Sequence, residues 1–159
     1  MAKTQVRGGG VRIQFDDQVS SKLFALSDAA GKESLDRVLG AVSMMLKAYI
    51  TKEIDTNFTQ REGNMAKGLK YRKQRAGRFQ LKAKSIYSVH ETGAYITPKN
   101  AKALRFFGNS GEFVFAKAVR IPKRPFVKPG LRAAISQDAI NKTAMASIDL
   151  EIKRLGLKI

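Results

Sequence analysis

The chain has 159 residues, the length of a single domain, and 43% of them are apolar. This composition excludes a wholly disordered basic tail, and the length is sufficient to bury a core without covalent crosslinks. The absence of cysteine excludes disulfides, thiolate nucleophiles and cysteine-ligated metals. Thirty Lys and Arg against 13 Asp and Glu give a net charge of +17, which favours a polyanionic partner or an acidic protein surface.

The N-terminal segment MAKTQVRGGGVR starts with positive charge, but no apolar stretch follows it, so the sequence predicts no signal peptide. No segment approaches 18 apolar residues, and we therefore expect neither a membrane span nor a membrane partner. We predict one domain over residues 1–159, made in the cytoplasm. Residues 1–10 end in three glycines and are predicted to be a flexible N-terminal arm.

The first predicted elements are a short strand and two helices. Apolar and polar residues alternate from Val11 to Phe15, which indicates a strand. Helical spacing follows from Val19 to Leu26, and Gly31 is a suitable stop. The strongest periodic signal is Ser34–Phe58, where apolar residues recur at steps of three and four and predict a long amphipathic helix.

Residues 59–78 contain three glycines and lack a periodic apolar face, so we predict a basic loop or arm here. Basic side chains supply phosphate contacts, and the interleaved Tyr71 and Phe79 are suited to stacking on unpaired bases. Alternatively the arm is simply solvated, or it packs against acidic neighbours in an assembly. Its candidate contact residues are Lys67, Lys70, Arg72, Lys73, Arg75 and Arg78.

β-type patterns dominate the next part of the chain. Alternation predicts strands between Phe79 and Val89 and again at Tyr95–Thr97, before Pro98. Residues 102–107 and 112–121 are predicted to form a β-hairpin with one buried face, because Gly and Asn favour a turn between them.

Three prolines at 122, 125 and 129 keep the following stretch extended, and one C-terminal helix is predicted from Pro129 to a stop at Gly156. Helices segregated from strands predict the α+β class. In the architecture that we expect, long amphipathic helices pack on one face of a curved antiparallel sheet, with a helix at the C-terminus.

Little in the sequence indicates catalysis. The single histidine, His90, precedes Glu91, but no second histidine follows four residues later, so the zinc-protease pattern is absent. No serine lies in a Gly-x-Ser-x-Gly turn, and the glycines at 8–10 lack the Lys-Ser/Thr of a phosphate-binding loop. We predict no catalytic residue, no metal site and no cofactor, and interpret His90 as structural.

Two short motifs stand at a characteristic separation in the second half. The first is HETGAYITPKNAKAL, with Gly93, Ile96, Pro98 and Lys99 followed by Lys102, Ala103 and Leu104. The second is IPKRPF, residues 121–126. Together they resemble the tail-completion and virion-morphogenesis family of tailed phages, which comprises neck and minor tail proteins. The resemblance covers residues 90 to about 135; Lys123 stands where alanine is common.

The resemblance implies a structural virion protein made in the host cytoplasm. It would act as a neck protein that forms a homo-oligomeric ring, commonly sixfold in this family, and joins head to tail. Its expected partners are further copies of itself, a head-completion or connector protein, and a tail terminator or tail tube protein. Non-specific contact with genomic DNA is a further expectation.

Candidate interface residues follow from the proline-rich stretch. They are Arg124, Pro125, Phe126 and Lys128. Arg124 is held extended between two prolines and is suited to pairing with a carboxylate of a neighbouring subunit. Alternatively Pro125 and Phe126 merely attach the last helix to the sheet. A second function also remains open, that of a basic nucleic-acid-binding protein using residues 61–84.

Overall fold

The residues described by a computed structural model are 3–7, 10–58, 68–75, 78–82, 85–108 and 110–158. Their elements follow the chain in the order β1 (Lys3–Arg7), β2 (Gly10–Gln14), α1 (Asp17–Asn57), β3 (Lys70–Arg75), β4 (Arg78–Lys82), α2 (Ser85–Thr92), β5 (Ala94–Ile96), β6 (Leu104–Phe107), β7 (Phe113–Ala116), β8 (Val119–Ile121), α3 (Val127–Ser136) and α4 (Ala139–Leu155).

The chain divides into two compact units, and the single domain over residues 1–159 stays a prediction. The helical unit comprises Met1–Ala83 and Phe126–Ile159, and the strand-rich unit is Lys84–Pro125. The strand-rich unit is separate because its first and last strands, β5 and β8, pair with each other and close the segment on itself. The mixed helix-and-strand class predicted from the sequence is confirmed.

Helix α1 is kinked at Gly31, where the sequence placed a stop. Gly31 has φ 73° and ψ −176°, a region that only glycine adopts without strain. At the start of the helix, the Val19 N–H donates to Asp16 Oδ1 at 3.0 Å, which caps the first turn. The two predicted helical segments on either side of Gly31 are therefore confirmed.

The core of the helical unit lies where α3 and α4 pack on α1. After the bend, every fourth residue of α1 is buried, because residues four apart form one ridge of a helix surface. The residues of this ridge are Val38, Val42, Leu46, Ile50 and Ile54. Helix α4 contributes Ile140, Ala144 and Ile148.

The C-terminal helix predicted as one element is two. Asp138 adopts a left-handed φ of 52°, and its N–H donates to the Ile135 carbonyl at 2.9 Å, which interrupts the helix at 137–138. Aspartate tolerates this conformation better than most residues, a local preference that the periodic pattern conceals. Helix α3 begins at Val127, so Pro129 lies in the first turn, where no amide donor is needed. Gly156, with φ 64°, ends α4 as predicted.

A buried carboxylate joins α4 to α1. Glu151 Oε2 accepts from Arg154 Nη2 at 2.8 Å and from Arg37 Nη1, on α1, at 3.4 Å. The hydrogen bonds from Arg154 hold the pKa of Glu151 below its ordinary value. Burial opposes this shift, while the charges of Arg154 and Arg37 and a hydrogen bond from Ser34 add to it.

Glu151→Gln is therefore expected to reduce stability most at neutral pH. A carboxyl whose pKa is lower in the folded state stabilises the fold above its unfolded value of about 4.3 and loses that effect as pH falls through the folded value. Thermal unfolding of both proteins from pH 7 to pH 3 should show a gap in Tm that narrows below about pH 4. A gap that widens in acid would contradict this.

The strands form four separate two-stranded antiparallel sheets, and no larger sheet is seen among the described residues. The single curved sheet expected from the sequence is therefore corrected to the pairs β1–β2, β3–β4, β5–β8 and β6–β7. The predicted flexible arm is also corrected in part: residues 3–7 pair with residues 10–14 as a hairpin. Turn residues fix which strands pair locally, whereas the lateral joining of hairpins depends on long-range packing.

The strand predicted near Val89 is a helix, α2. Tyr87 is buried while Ser88 is exposed, and an apolar run this short does not distinguish a strand from a helix. The strand predicted at Tyr95–Thr97 is confirmed as β5. The hairpin predicted from 102–107 and 112–121 is confirmed only for β6 and β7, because Val119–Ile121 form the separate strand β8, which pairs with β5. None of the described helices is long and apolar enough to cross a membrane.

Candidate functional site

The two motifs of the strand-rich unit are neighbours in space. Ala94 pairs with Ile121, Tyr95 with Arg120 and Ile96 with Val119. Beyond the end of this ladder, the Arg124 N–H donates to the His90 carbonyl at 2.8 Å. We call this antiparallel pairing of 90–96 with 119–124 the clasp. Segments more than 20 residues apart in the sequence thus form one small structure.

Gly93 is required at the start of the clasp. Its φ is +79°, which L side chains rarely adopt, and a Cβ there would lie 3.2 Å from the Ile121 carbonyl oxygen and 3.3 Å from the Lys123 nitrogen. Both neighbours are backbone atoms, so neither can turn aside. The glycine of the first motif is therefore explained by the close approach of the second.

In the sequence, hairpin β6–β7 lies between the two strands of the clasp, β5 and β8. Its register places Arg105 opposite Phe115 and Phe107 opposite Phe113, and these four residues share one face because side chains alternate along a strand. We call them the aromatic face. On the opposite face, Leu104 and Val114 are half-buried and Phe106 is 39% exposed.

The aromatic face is uncovered, contrary to the buried face that alternation predicted. Phe107 is 67% exposed, Phe115 66% and Phe113 48%. The rings of Phe107 and Phe113 lie 4.3 Å apart between centroids, and the Arg105 guanidinium carbon lies 3.6 Å above the Phe113 ring. Adjacent Phe106 and Phe107 necessarily point to opposite faces, so only one of them can face inward.

The four interface candidates of the proline-rich stretch have different environments. Arg124 and Lys128 are exposed and Pro125 is half-buried. Phe126 is only 1% exposed. Its ring packs edge-on against the ring of Phe58, with the two centroids 6.0 Å apart and an angle of 77° between the ring planes. Its assignment as an interface residue is therefore corrected: Phe126 belongs to the core of the helical unit, and attachment of the last helix to the sheet stays a prediction.

Within the predicted basic arm, residues 70–75 and 78 belong to a hairpin, β3–β4, which packs along α1, whereas residues 59–67 and 76–77 lie outside the described residues. Lys67 lies outside the described residues. Lys70 and Arg72 are exposed, two residues apart on one strand, and therefore point to the same side. Lys73, on the other side, pairs with the buried Asp36 of α1 through an Nζ–Oδ2 distance of 2.5 Å.

The register of this hairpin brings like charges together. Lys70 is opposite Lys82, and Arg75 is opposite Arg78. The hairpin thus concentrates positive charge on one small element of the helical unit.

Alanine substitution is expected to separate these roles. Lys73→Ala removes a cation beside a buried carboxylate and should lower the free energy of unfolding by about 1–2 kcal/mol. Lys70→Ala, the matched change on the exposed side, should alter it by less than about 0.5 kcal/mol. Urea denaturation of both variants measures the difference, and equal losses would contradict the assignment.

No catalytic centre emerges from the described part of the chain. His90, at the end of α2, has its pKa lowered by burial and then by the charge of Arg124, which leaves the imidazole neutral at pH 7. The residues lining the open cleft beside the clasp, which include Tyr95, Arg120 and Lys123, comprise no carboxylate or imidazole. Among the described residues, no group of three His, Asp or Glu side chains is arranged to hold a metal ion.

No protein-family model, no curated protein and no solved structure matches this chain.

Proposed function

We propose that the chain is a structural protein of the tailed-phage virion, which forms a ring at the neck and joins head to tail. The observation that carries this proposal is the uncovered aromatic face, held by a clasp in which parts of the two motifs resembling the tail-completion family pair with each other. Three phenyl rings exposed together on one hairpin favour burial against a protein partner, because exposed apolar patches are characteristic of interaction surfaces.

The two motifs support the proposal in a second way. In the first motif Gly93 permits the close approach of the second motif, and in the second motif Phe126 is buried in the helical core. Both residues therefore stabilise the fold. The hairpin between them is free to carry partner contacts, which is the division expected of an assembly protein whose scaffold is rigid and whose contact loop is exposed.

Electron microscopy of phage particles assembled without the protein would test this function. We expect filled heads and completed tails to accumulate unjoined, visible by electron microscopy, and infectivity to return when the wild-type chain is supplied in trans. A companion variant with Phe107 and Phe115 changed to serine should fold but fail to restore joining. Normal, infectious tailed particles in the absence of the chain would refute the proposal.

A second candidate function is non-specific nucleic-acid binding through hairpin β3–β4. The specific observation in its favour is the like-charge register of Lys70 with Lys82 and of Arg75 with Arg78. A two-stranded ribbon of this kind fits the major groove of duplex DNA, and lysines and arginines bind phosphates without reading sequence.

The double variant Lys70→Ala/Arg72→Ala tests this candidate and leaves the Lys73 ion pair intact. If both side chains contact phosphates of duplex DNA, the slope of log K against log salt should become less steep by about 2. Lys52→Ala/Arg132→Ala, with the same charge change at exposed helical positions, is the control. An unchanged slope in the hairpin variant would argue against the candidate.

A further inference from the structure

One exposed aromatic residue of the helical unit lies in an acidic setting. Phe24, on α1, is 72% exposed. Asp17, Ser21 and Asp28 are also exposed and lie seven residues before, three before and four after it, so all four residues share one side of the helix. We call this row the acidic stripe. At 1.5 Å per residue it is about 16 Å long.

The acidic stripe is unusual in this chain. The net charge is +17, yet residues 16–31 contain three aspartates and only one lysine, Lys22. The Nζ of Lys22 lies 3.8 Å from Oδ1 of Asp149 on α4, so Lys22 pairs with a carboxylate outside the acidic stripe. The stripe therefore presents an apolar ring flanked by carboxylates, whereas the aromatic face presents apolar rings beside Arg105.

We infer that the aromatic face of one copy docks on the acidic stripe of the next copy, so that the chain associates head to tail. This inference rests on the proposed ring and names the surfaces that build it. The partner is a second copy because both complementary surfaces are on this chain, and copies that each carry +17 repel one another unless contact occurs at a locally acidic surface. Phe24 would pack among the phenyl rings while Arg105 approaches Asp28.

Two different surfaces of the same chain give a heterologous contact. Such a contact repeats from copy to copy and closes into a ring when the rotation permits, whereas a contact between identical surfaces stops at a dimer. The geometry therefore predicts association that continues beyond two copies.

Complementary charge reversal tests the inference. Arg105→Glu and Asp28→Lys should each weaken self-association at least tenfold in sedimentation velocity, because each variant sets like charges against each other. An equimolar mixture should recover the wild-type assembly size, since every contact in an alternating ring then pairs opposite charges. Arg132→Glu and Asp55→Lys, the same reversals at exposed positions outside both surfaces, are the controls.

Thiol crosslinking provides an independent readout, because the natural chain has no cysteine. Ser21→Cys lies in the acidic stripe and Ser110→Cys in the turn of hairpin β6–β7. A short bis-maleimide should link the two variants when they are mixed and neither variant to itself. Linking of each variant to itself would overturn the head-to-tail contact.

The outcomes separate this inference from the proposed function. Oligomers that persist in Arg105→Glu and Asp28→Lys would overturn the docking surfaces and leave the ring standing. The docking surfaces would also be overturned, and the ring left standing, if the mixture of Arg105→Glu and Asp28→Lys did not recover the wild-type assembly size and the two cysteine variants did not crosslink. A wild-type chain that is monomeric at all concentrations would overturn both.

Discussion

Replacing Phe126 with alanine is expected to lower the free energy of unfolding by about 3–5 kcal/mol. The ring is 1% exposed and packs edge-on against Phe58, so truncation loses both the burial of an aromatic side chain and a specific ring contact, and leaves a cavity. Domains of this size have about 5–15 kcal/mol of stability, so the variant should be marginally folded. Urea denaturation followed by circular dichroism measures the loss.

Phe115→Ala is the matched control for this prediction. It removes the same atoms from a ring that is 66% exposed, and its effect on stability should stay below about 0.5 kcal/mol. Phe126→Leu should recover much of the loss by filling part of the cavity. If Phe126→Ala were as stable as Phe115→Ala, the assignment of Phe126 as a core anchor would be wrong.

Gly130→Val is expected to lower the free energy of unfolding by about 3 kcal/mol. Gly130 lies in α3 against α1, and a Cβ there would lie 2.9 Å from the Ile50 Cα, 3.0 Å from its nitrogen and 3.1 Å from the Tyr49 carbonyl oxygen. All three are backbone atoms of a helix, so accommodation requires the helices to separate. Thermal unfolding of the variant, followed by circular dichroism, measures the effect.

Two further substitutions isolate the steric cause. Gly130→Ala introduces the same Cβ but gains about 1 kcal/mol of helix propensity and should be destabilised less. Ser136→Val, at an exposed position of the same helix, should have an effect below about 1 kcal/mol. A Gly130→Val protein that unfolds at the wild-type temperature would show that α3 does not pack closely on α1 at this position.

Different residues should control folding and assembly. Phe126 and Gly130 determine whether the helical unit folds, whereas Arg105 and Phe107 are exposed and should leave folding unchanged. A loss of assembly in a folded Arg105→Glu variant therefore reports on contact between copies. A loss in Phe126→Ala would report on folding alone.

Several elements were predictable because their signal is local. The long helix follows from the spacing of its apolar residues, the bend from Gly31, and the end of α4 from Gly156, which adopts a left-handed conformation. The β6–β7 hairpin follows from its glycine-rich turn. Each of these depends on residues a few positions apart, so no knowledge of the tertiary structure is needed.

The sequence predictions that the structure contradicts have a common cause. Whether 85–92 is a strand or a helix and whether hairpins join into one sheet both depend on residues distant in sequence. The break at Asp138 was missed because aspartate is not by itself a helix stop, and its left-handed conformation is seen only in the structure.

The charge and the absence of cysteine are properties of the sequence by itself, and they already indicated an acidic or anionic partner and excluded thiolate chemistry. The sequence also supplied both motifs of the clasp. Only the tertiary structure decided that Phe126 is a buried anchor and that the phenyl rings of β6–β7 are uncovered. The physical reason is that alternation assigns residues to two faces of a strand, while burial depends on what packs against each face.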